Sequence, residues 1–293
     1  MLNVLVTGTS SGIGLATALE LGRAGHAVYA TVRSPEKGAE LRDIAAAEKL
    51  RISISTMDVD SDASVVAALA GIVRQAGFID VLVNNAGVER RGSIEELPFE
   101  AFRQTMETNY FGALRCIRAL LPAMREKRSG CIVNVTSIAG RISMSPLAPY
   151  VASKFALEAL SESLAQEVKP FNIRVAIVEP GIIDTPMARR IEEPPAESLY
   201  PQCRRVAGMF EASLANPTSP SLVAGKIREI IESGTWRMRH PAGPDALPFL
   251  EWRAAMTDEM WADWGTLDDD AWYERVQKDF GIDARPQVQG AGV

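Results

Sequence analysis

The sequence predicts an α/β fold, a doubly wound, seven-stranded parallel sheet with helices on both faces. Short β-branched runs alternate with longer segments of helical period from the first residues to about residue 240, the pattern of stacked βαβ units. The runs read as strands buried on both faces, and strands buried in that way pair in parallel. At 293 residues, 47% hydrophobic and 23% charged, the chain has the composition of a globular protein with a substantial core, not of a disordered, collagen-like or coiled-coil chain.

The strands expected, in order, are 3–7, 27–32, 51–57, 81–84, 131–135, 174–179 and 235–239. Helical segments between them, among them LATALELGRAG, VVAALAGIVRQAG and FALEALSESLAQEV, are long enough to cross a sheet face with the right-handed turn such connections need. No Ser/Gly-rich linker divides the units, so a single domain over 1–293 is expected, with its core in 1–240. Two segments break the alternation. Residues 184–220 are rich in proline and poor in strand signals, which marks a long loop or broken helix and a lid candidate. The extension 241–293 interleaves Trp252, Trp261, Trp264 and Trp272 with Asp258, Asp263, Asp268, Asp269 and Asp270. That composition fits a helical, amphipathic cover packed on the domain or on a second subunit, and packing is favoured over substrate contact.

With 31 basic against 37 acidic residues the net charge is −6, which leaves no electrostatic footprint for nucleic acid or an anionic membrane and points to small-molecule partners. No apolar run reaches the ~18 residues of a membrane helix, and MLNVLVTG lacks the basic region of a signal peptide, so a cytoplasmic location is expected. Cys116, Cys131 and Cys203, odd in number and widely spaced, read as reduced structural thiols. His26 and His240 are the only histidines and lie far apart, so neither a zinc site nor a histidine-based triad is expected. The run Asp268, Asp269, Asp270 lacks the spaced ligands and turn glycine of a calcium loop, and no metal is expected.

Gly8, Gly12 and Gly14 lie in TGTSSGIG, directly after the first strand and before a helix that starts near Ile13. A tight turn there points backbone amides outward, the helix adds the positive end of its dipole, and glycines let a pyrophosphate approach closely. Ser10, Ser11 and Ile13 belong to the same cradle. Tyr150 and Lys154, four apart at the start of a helix, share one face, where an ammonium beside a phenol is expected to lower the phenol's pKa from about 10. Ser137 ends a strand at the sheet edge where open α/β sheets place ligands, and its hydroxyl is placed to polarise a substrate oxygen.

These motifs recur in a fixed order: TGxxxGxG, NNAG at 84–87, Asn109 in ETNYFG, Ser137 in VNVTSIAG, YVASK from Tyr150 to Lys154, and EPGIIDTP at 179–186. In them the sequence resembles the short-chain dehydrogenase/reductase family over about residues 3–240, with Ser137 thirteen residues before Tyr150 as the family pattern asks. The resemblance implies a Rossmann-type fold and an oxidoreductase interconverting an alcohol and its ketone or aldehyde. It implies Tyr150 as acid/base, Lys154 tuning it, Ser137 polarising the oxygen, Asn109 holding a water that relays protons, and a nicotinamide exchanging the hydride. It also implies adenine contacts from Asp58 and Val59, with a strand-end cap an equal reading of Asp58. Ribose contacts would come from Asn84, Asn85, Ala86 and Gly87, and nicotinamide contacts from Pro180, Gly181, Ile183 and Thr185.

Val32 stands where NAD-specific folds place a carboxylate and Arg33 follows it, so NADP(H) is favoured over NAD(H), the guanidinium gripping the 2′-phosphate. Met144, Leu147, Met187 and Ile191, with Leu199, Met209 and Phe210, would form a flexible apolar wall for a bulky alcohol or ketone. FALEALSESLAQEV and WRMRHPAGPDA are most similar to the hydroxysteroid and retinol dehydrogenase branch, which implies a steroid- or retinoid-like substrate. Glu89, Arg90 and Arg91 read as a solvated loop, with a polar anchor for substrate as the alternative. The helices over 99–125 and 150–168 imply, by the same resemblance, a homodimer or homotetramer. Two other readings stay open: a nicotinamide-binding regulatory protein without turnover, and an enone reductase or epimerase on the same scaffold.

Overall fold

The computed structural model describes residues 1–190 and 198–286. Seven strands, β1 (Asn3–Val6), β2 (Ala27–Val32), β3 (Ile52–Thr56), β4 (Val81–Asn84), β5 (Gly130–Val135), β6 (Ile173–Pro180) and β7 (Arg239–Ala242), form one sheet. Its order is β3-β2-β1-β4-β5-β6-β7 and every neighbouring pair is parallel. Alternate residues feed two cores. Val4 and Val6 pack with Val83, Val133 and Val178 under α1 (Gly12–Arg23) and, after them in the chain, α2 (Ala39–Ala47) and α9 (Pro220–Ser233). Leu5, Leu82 and Ile132 face the other way, under α3 (Asp62–Ala76), α5 (Gly112–Lys127) and α6 (Ala148–Val168). Strands clothed on both faces have no polar side to show, which is why they read as continuous apolar runs.

Strand order reverses between β1 and β4, so the loops leaving their C-terminal ends part and open a crevice. The helix before α5, α4 (Phe99–Met106), joins it through a single π-helical turn, Glu107–Phe111, and Asn109 sits in that turn. Such turns arise where one extra residue is taken into a helix, often at a functional site.

The last strand lies further along the chain than 235–239. Gly234 ends α9 in a left-handed conformation, Thr235–Met238 span a connection, and pairing begins with Arg239 opposite Ile177. Pro241 lies within that strand, opposite Glu179. β7 is an edge strand, where a residue without an N–H costs no ladder bond on the open side.

The proline-rich segment carries two helices, α7 (Pro186–Arg189) and α8 (Gln202–Ala215), with 191–197 between them outside the described residues. The extension forms α10 (Ala246–Ala254), α11 (Asp258–Asp263) and α12 (Asp269–Phe280) and folds back on its own chain. The Trp252 ring meets Trp264 edge-on at 5.0 Å and Phe280 at 4.7 Å, and its indole N–H donates to Asp279 at 2.9 Å. Trp272 packs with Val206 and Met209 of α8, while Arg205 donates to the Asp269 carboxylate at 2.8 Å and the Leu267 carbonyl at 2.9 Å. The Trp-bearing extension is thus bolted to α8. Among the described residues no helix is long and apolar enough to cross a membrane.

Candidate active site

A cleft of about 540 Å³ occupies the crevice at the C-terminal ends of the strands. Its nucleotide half begins where β1 turns into α1. Gly8 and Gly12 have positive φ, +69° and +55°, which side chains resist. The glycines also serve packing. A Cβ on Gly14 would lie 2.1 Å from the Gly8 carbonyl oxygen, and one on Gly8 would lie 2.7 Å from Ala86 Cα. A Cβ on Gly12 would reach Thr185 Cγ2 at 3.0 Å. The trio therefore holds the turn closed against its neighbours as well as keeping it low for a ligand, a reason additional to the phosphate approach inferred from sequence.

Thr7 and Asn85 latch the two parted loops. The Thr7 hydroxyl accepts the backbone N–H groups of Asn85 and Ala86, both at 3.0 Å, and the Asn85 amide donates to the Thr7 and Gly8 carbonyls at 2.9 and 3.0 Å. Ser10, Ser11, Ile13, Ala86 and Gly87 line the cleft beside them. Asn84 does not; it is buried in the sheet, where its amide donates to the Asn134 side chain at 2.8 Å. One residue of register decides this, because β4 ends at Asn84 and its side chain still follows the strand's alternation.

Past β2 and β3 the cleft is bounded by Arg33, Asp58 and Val59, with Lys37 as a second cation that the sequence reading did not single out. Arg33 lies half-exposed, 4.0 Å from the Asp58 carboxylate. Asp58 also accepts the Asp60 N–H at 3.2 Å, so it both caps the strand end and borders the cleft. On the opposite wall stand Pro180, Gly181, Ile183 and Thr185, the last capping α7 through its hydroxyl, which accepts the Ala188 N–H at 3.1 Å. Glycine turns at a helix N-terminus, two cations, an acceptor and a long slot fit a nicotinamide dinucleotide.

Ser137, Tyr150 and Lys154 come together on the wall beyond. Ser137 follows β5, and its oxygen accepts the Ala139 N–H at 3.1 Å. Lys154 is buried with its Nζ donating to the Val135 carbonyl at 3.0 Å and lying 5.5 Å from the Tyr150 ring centre. Asn109 does not line the cleft. It stands behind Lys154, fully committed: its carbonyl accepts the Val88 N–H at 2.8 Å and its amide donates to the Val88 carbonyl at 2.9 Å and to Ser153 Oγ at 2.8 Å.

The sequence profile of the short chain dehydrogenase family matches residues 2–196. The chain belongs to that family. It is 36% identical over 266 residues to the uncharacterised oxidoreductase YusZ of Bacillus subtilis, covering 88% of this chain and 94% of the relative. It is 41% identical over 203 residues to retinol dehydrogenase 8 of Bos taurus, covering 68% of this chain and 64% of the relative. A solved short-chain dehydrogenase from Streptomyces avermitilis superposes with a TM-score of 0.78 at 34% identity, covering 94% of this chain and 97% of that one. The protein is thus an oxidoreductase with a Rossmann-type sheet, of a family that binds nicotinamide cofactors.

In this dehydrogenase the phenol is not tuned as the sequence predicts. Burial, reinforced by the Glu89 carboxylate, pushes the Tyr150 pKa up, with the Ser137 hydroxyl and Arg91 guanidinium pulling weakly the other way. Burial instead lowers Lys154 to about 8, against an upward pull from Glu158 and Glu89. Desolvation is the largest influence on both groups and outweighs the charges around them.

The substrate end of the cleft takes in Met144, Leu147 and Met187 as expected, with Met209 and Phe210 of α8. Ile191 lies outside the described residues, and Leu199 is exposed away from the cleft. Sequence reasoning missed Ile138, Ile142, Phe249 and Trp252. The last two sit three apart on α10, a spacing that signals one apolar face, but nothing local says which surface that face covers. Asp245 was missed as well. It accepts the Ile182 N–H at 2.7 Å, and a Cβ on Gly181 would strike its carboxylate at 2.2 Å, so it pins the loop after β6. Glu89 and Arg91 are not a solvated loop; their side chains are largely shielded, paired with each other, and line the cleft. The histidines have local partners, His26 with Glu232 at 3.2 Å and His240 with the Arg237 carbonyl at 2.9 Å.

Proposed function

We propose that this dehydrogenase interconverts an alcohol and its ketone or aldehyde on a bulky apolar substrate, using NADP(H) in preference to NAD(H). The observation that carries the reading is the convergence of Ser137, Tyr150 and Lys154 on one wall of a cleft whose other end is the glycine turn of α1. The nicotinamide, when bound, supplies or accepts the hydride. Ser137 Oγ donates to the substrate oxygen as charge gathers there, and the Tyr150 hydroxyl gives it a proton in reduction or takes one in oxidation. Burial keeps the phenol protonated near neutrality, the form in which it can hydrogen-bond and protonate a substrate oxygen. Lys154 stands between Tyr150 and the Asn109 layer, placed to pass charge and protons from the buried side. Asn109 acts by fixing Val88 and Ser153, and through them the positions of Gly87 and Tyr150; the water relay remains the family's implication for it.

Arg33 and Lys37 supply the 2′-phosphate preference, since the end of β2 carries Val32 in place of a carboxylate. The wall of Met144, Met209, Phe249 and Trp252 suits a steroid- or retinoid-sized body. We assign the whole chain, 1–293, to one catalytic domain, acting in the cytoplasm as a homodimer or homotetramer. A spectrophotometric screen at about 340 nm, the nicotinamide absorbance, with NADPH and NADH against steroid ketones, retinal, aldehydes and small keto esters tests the reading. NADPH oxidation with a bulky class is expected; turnover confined to NADH, or to small polar ketones, would refute the cofactor or pocket assignment respectively.

A further inference from the structure

A buried ion pair faces the substrate end of the cleft and has no part in the chemistry proposed above. The two hydrogen bonds from Asn109 fix the peptide of Val88, and the chain then turns the side chains of Glu89 and Arg91 into contact, only 11% and 9% exposed. The Arg91 guanidinium carbon lies 4.1 Å from the ring centre of Phe210 on α8, and Nη2 leans toward the Ala188 carbonyl at 3.4 Å. Among the described residues Nη1 has no hydrogen-bond partner, although it is buried. Both charges act on the Tyr150 phenol, in opposite senses, which places them within electrostatic reach of the reacting hydroxyl.

A buried ion pair is often no more stabilising than an apolar pair of the same volume, so stability alone does not account for it. Ile142, Met144, Phe249 and Trp252 make this end of the cleft largely apolar, although Arg90 and Arg190 also border the cleft. The Glu89–Arg91 pair is itself neutral as a whole, so it offers a donor and an acceptor together. A neutral oxygen, as a hydroxyl or carbonyl, is the function that complements it.

We propose that Glu89 and Arg91 form a specificity subsite for a second neutral oxygen, so that preferred substrates are apolar molecules carrying two oxygen functions, one reacting at Tyr150 and one held by the pair. The inference rests on the carbonyl-reductase reading and narrows its substrate class. A site built to hydrogen-bond an oxygen rejects the analogue lacking it, because its own polar groups are left unpaired.

The test compares decalin-1-one with the isomeric decalindiones, using NADPH and the full chain. At least one dione should exceed the monoketone by about tenfold or more in kcat/KM, mainly through KM and beyond the factor of about two that two reacting carbonyls give. In the double variant Glu89→Gln/Arg91→Met, which leaves no lone buried charge, that ratio should fall to about two. Should the double variant not fold, Arg91→Lys gives the same comparison, since an ammonium lacks the planar fork and should lower the ratio. A wild-type ratio of two or less, or a ratio unchanged in the variant, overturns the subsite and leaves carbonyl reduction standing. Absence of turnover with every ketone in the comparison, and in the wider screen above, overturns both.

Discussion

Lys154 is held in a place that disfavours its charge. Its pKa of about 8, against 10.5 for an ordinary lysine, means that below pH 8 the fold carries an ammonium it would rather lose. The penalty is fully present below about pH 8 and fades as pH rises toward 10.5, where the unfolded chain also loses the proton. Lys154→Met should therefore unfold at a higher temperature relative to wild type at pH 7 than at pH 10, with a difference on the order of 3 kcal/mol between the two extremes. Thermal melts of both proteins across that range check it; a gap that widens with pH would contradict the burial argument. At the nucleotide end, Arg33→Ala should weaken NADPH by about tenfold while leaving NADH nearly unchanged, since a half-exposed guanidinium contributes about 1–2 kcal/mol to a phosphate. Titration of both cofactors by fluorescence reads this directly. The residues of these arguments were legible because their roles depend on local spacing. The Tyr150 shift was not, since the depth of a wall is a property of everything packed behind it.

At the scale of elements, close approach separates one glycine from another. Gly71, within α3, has nothing within 4 Å of the Cβ it lacks, so Gly71→Ala should stabilise the protein by about 0.5–1 kcal/mol through helix propensity. Gly14→Ala would drive a methyl into the Gly8 carbonyl and should destroy nucleotide binding. Denaturant midpoints and cofactor titration distinguish the two. The seam between α8 and α12 offers a second check. Arg205 is almost wholly buried against half-exposed Asp269, so Asp269→Ala should cost about 1–2 kcal/mol and raise KM as the lid loosens, with less effect on kcat. An unaltered KM would separate the extension from substrate binding. Sequence placed six of the seven strands within about two residues. The seventh slipped because a proline that ends a central strand is tolerated at an edge, and edge status belongs to the assembled sheet.

For the whole molecule, the sequence pattern exposes the sheet, the switch point and the wall carrying Ser137, Tyr150 and Lys154 because each follows from local spacing, periodicity and connection handedness. It names Met209 and Phe210 of α8 but hides Phe249 and Trp252, which reach the cleft from α10, an element whose docking is fixed by tertiary contacts with Trp264 and Phe280. The Glu89 and Arg91 charges looked solvated for the same reason, since Phe210 and Ala188, which shield Arg91, come from α8 and α7. In the proposed reaction the Tyr150 hydroxyl moves the proton and a bound nicotinamide exchanges the hydride. The most direct test of this is Tyr150→Phe, comparing NADPH affinity by fluorescence titration with ketone-dependent NADPH oxidation in the same preparation. The expected result is cofactor affinity within about twofold of wild type and a loss of at least about a hundredfold in kcat. A variant that kept wild-type turnover would contradict the assignment of acid/base chemistry to Tyr150.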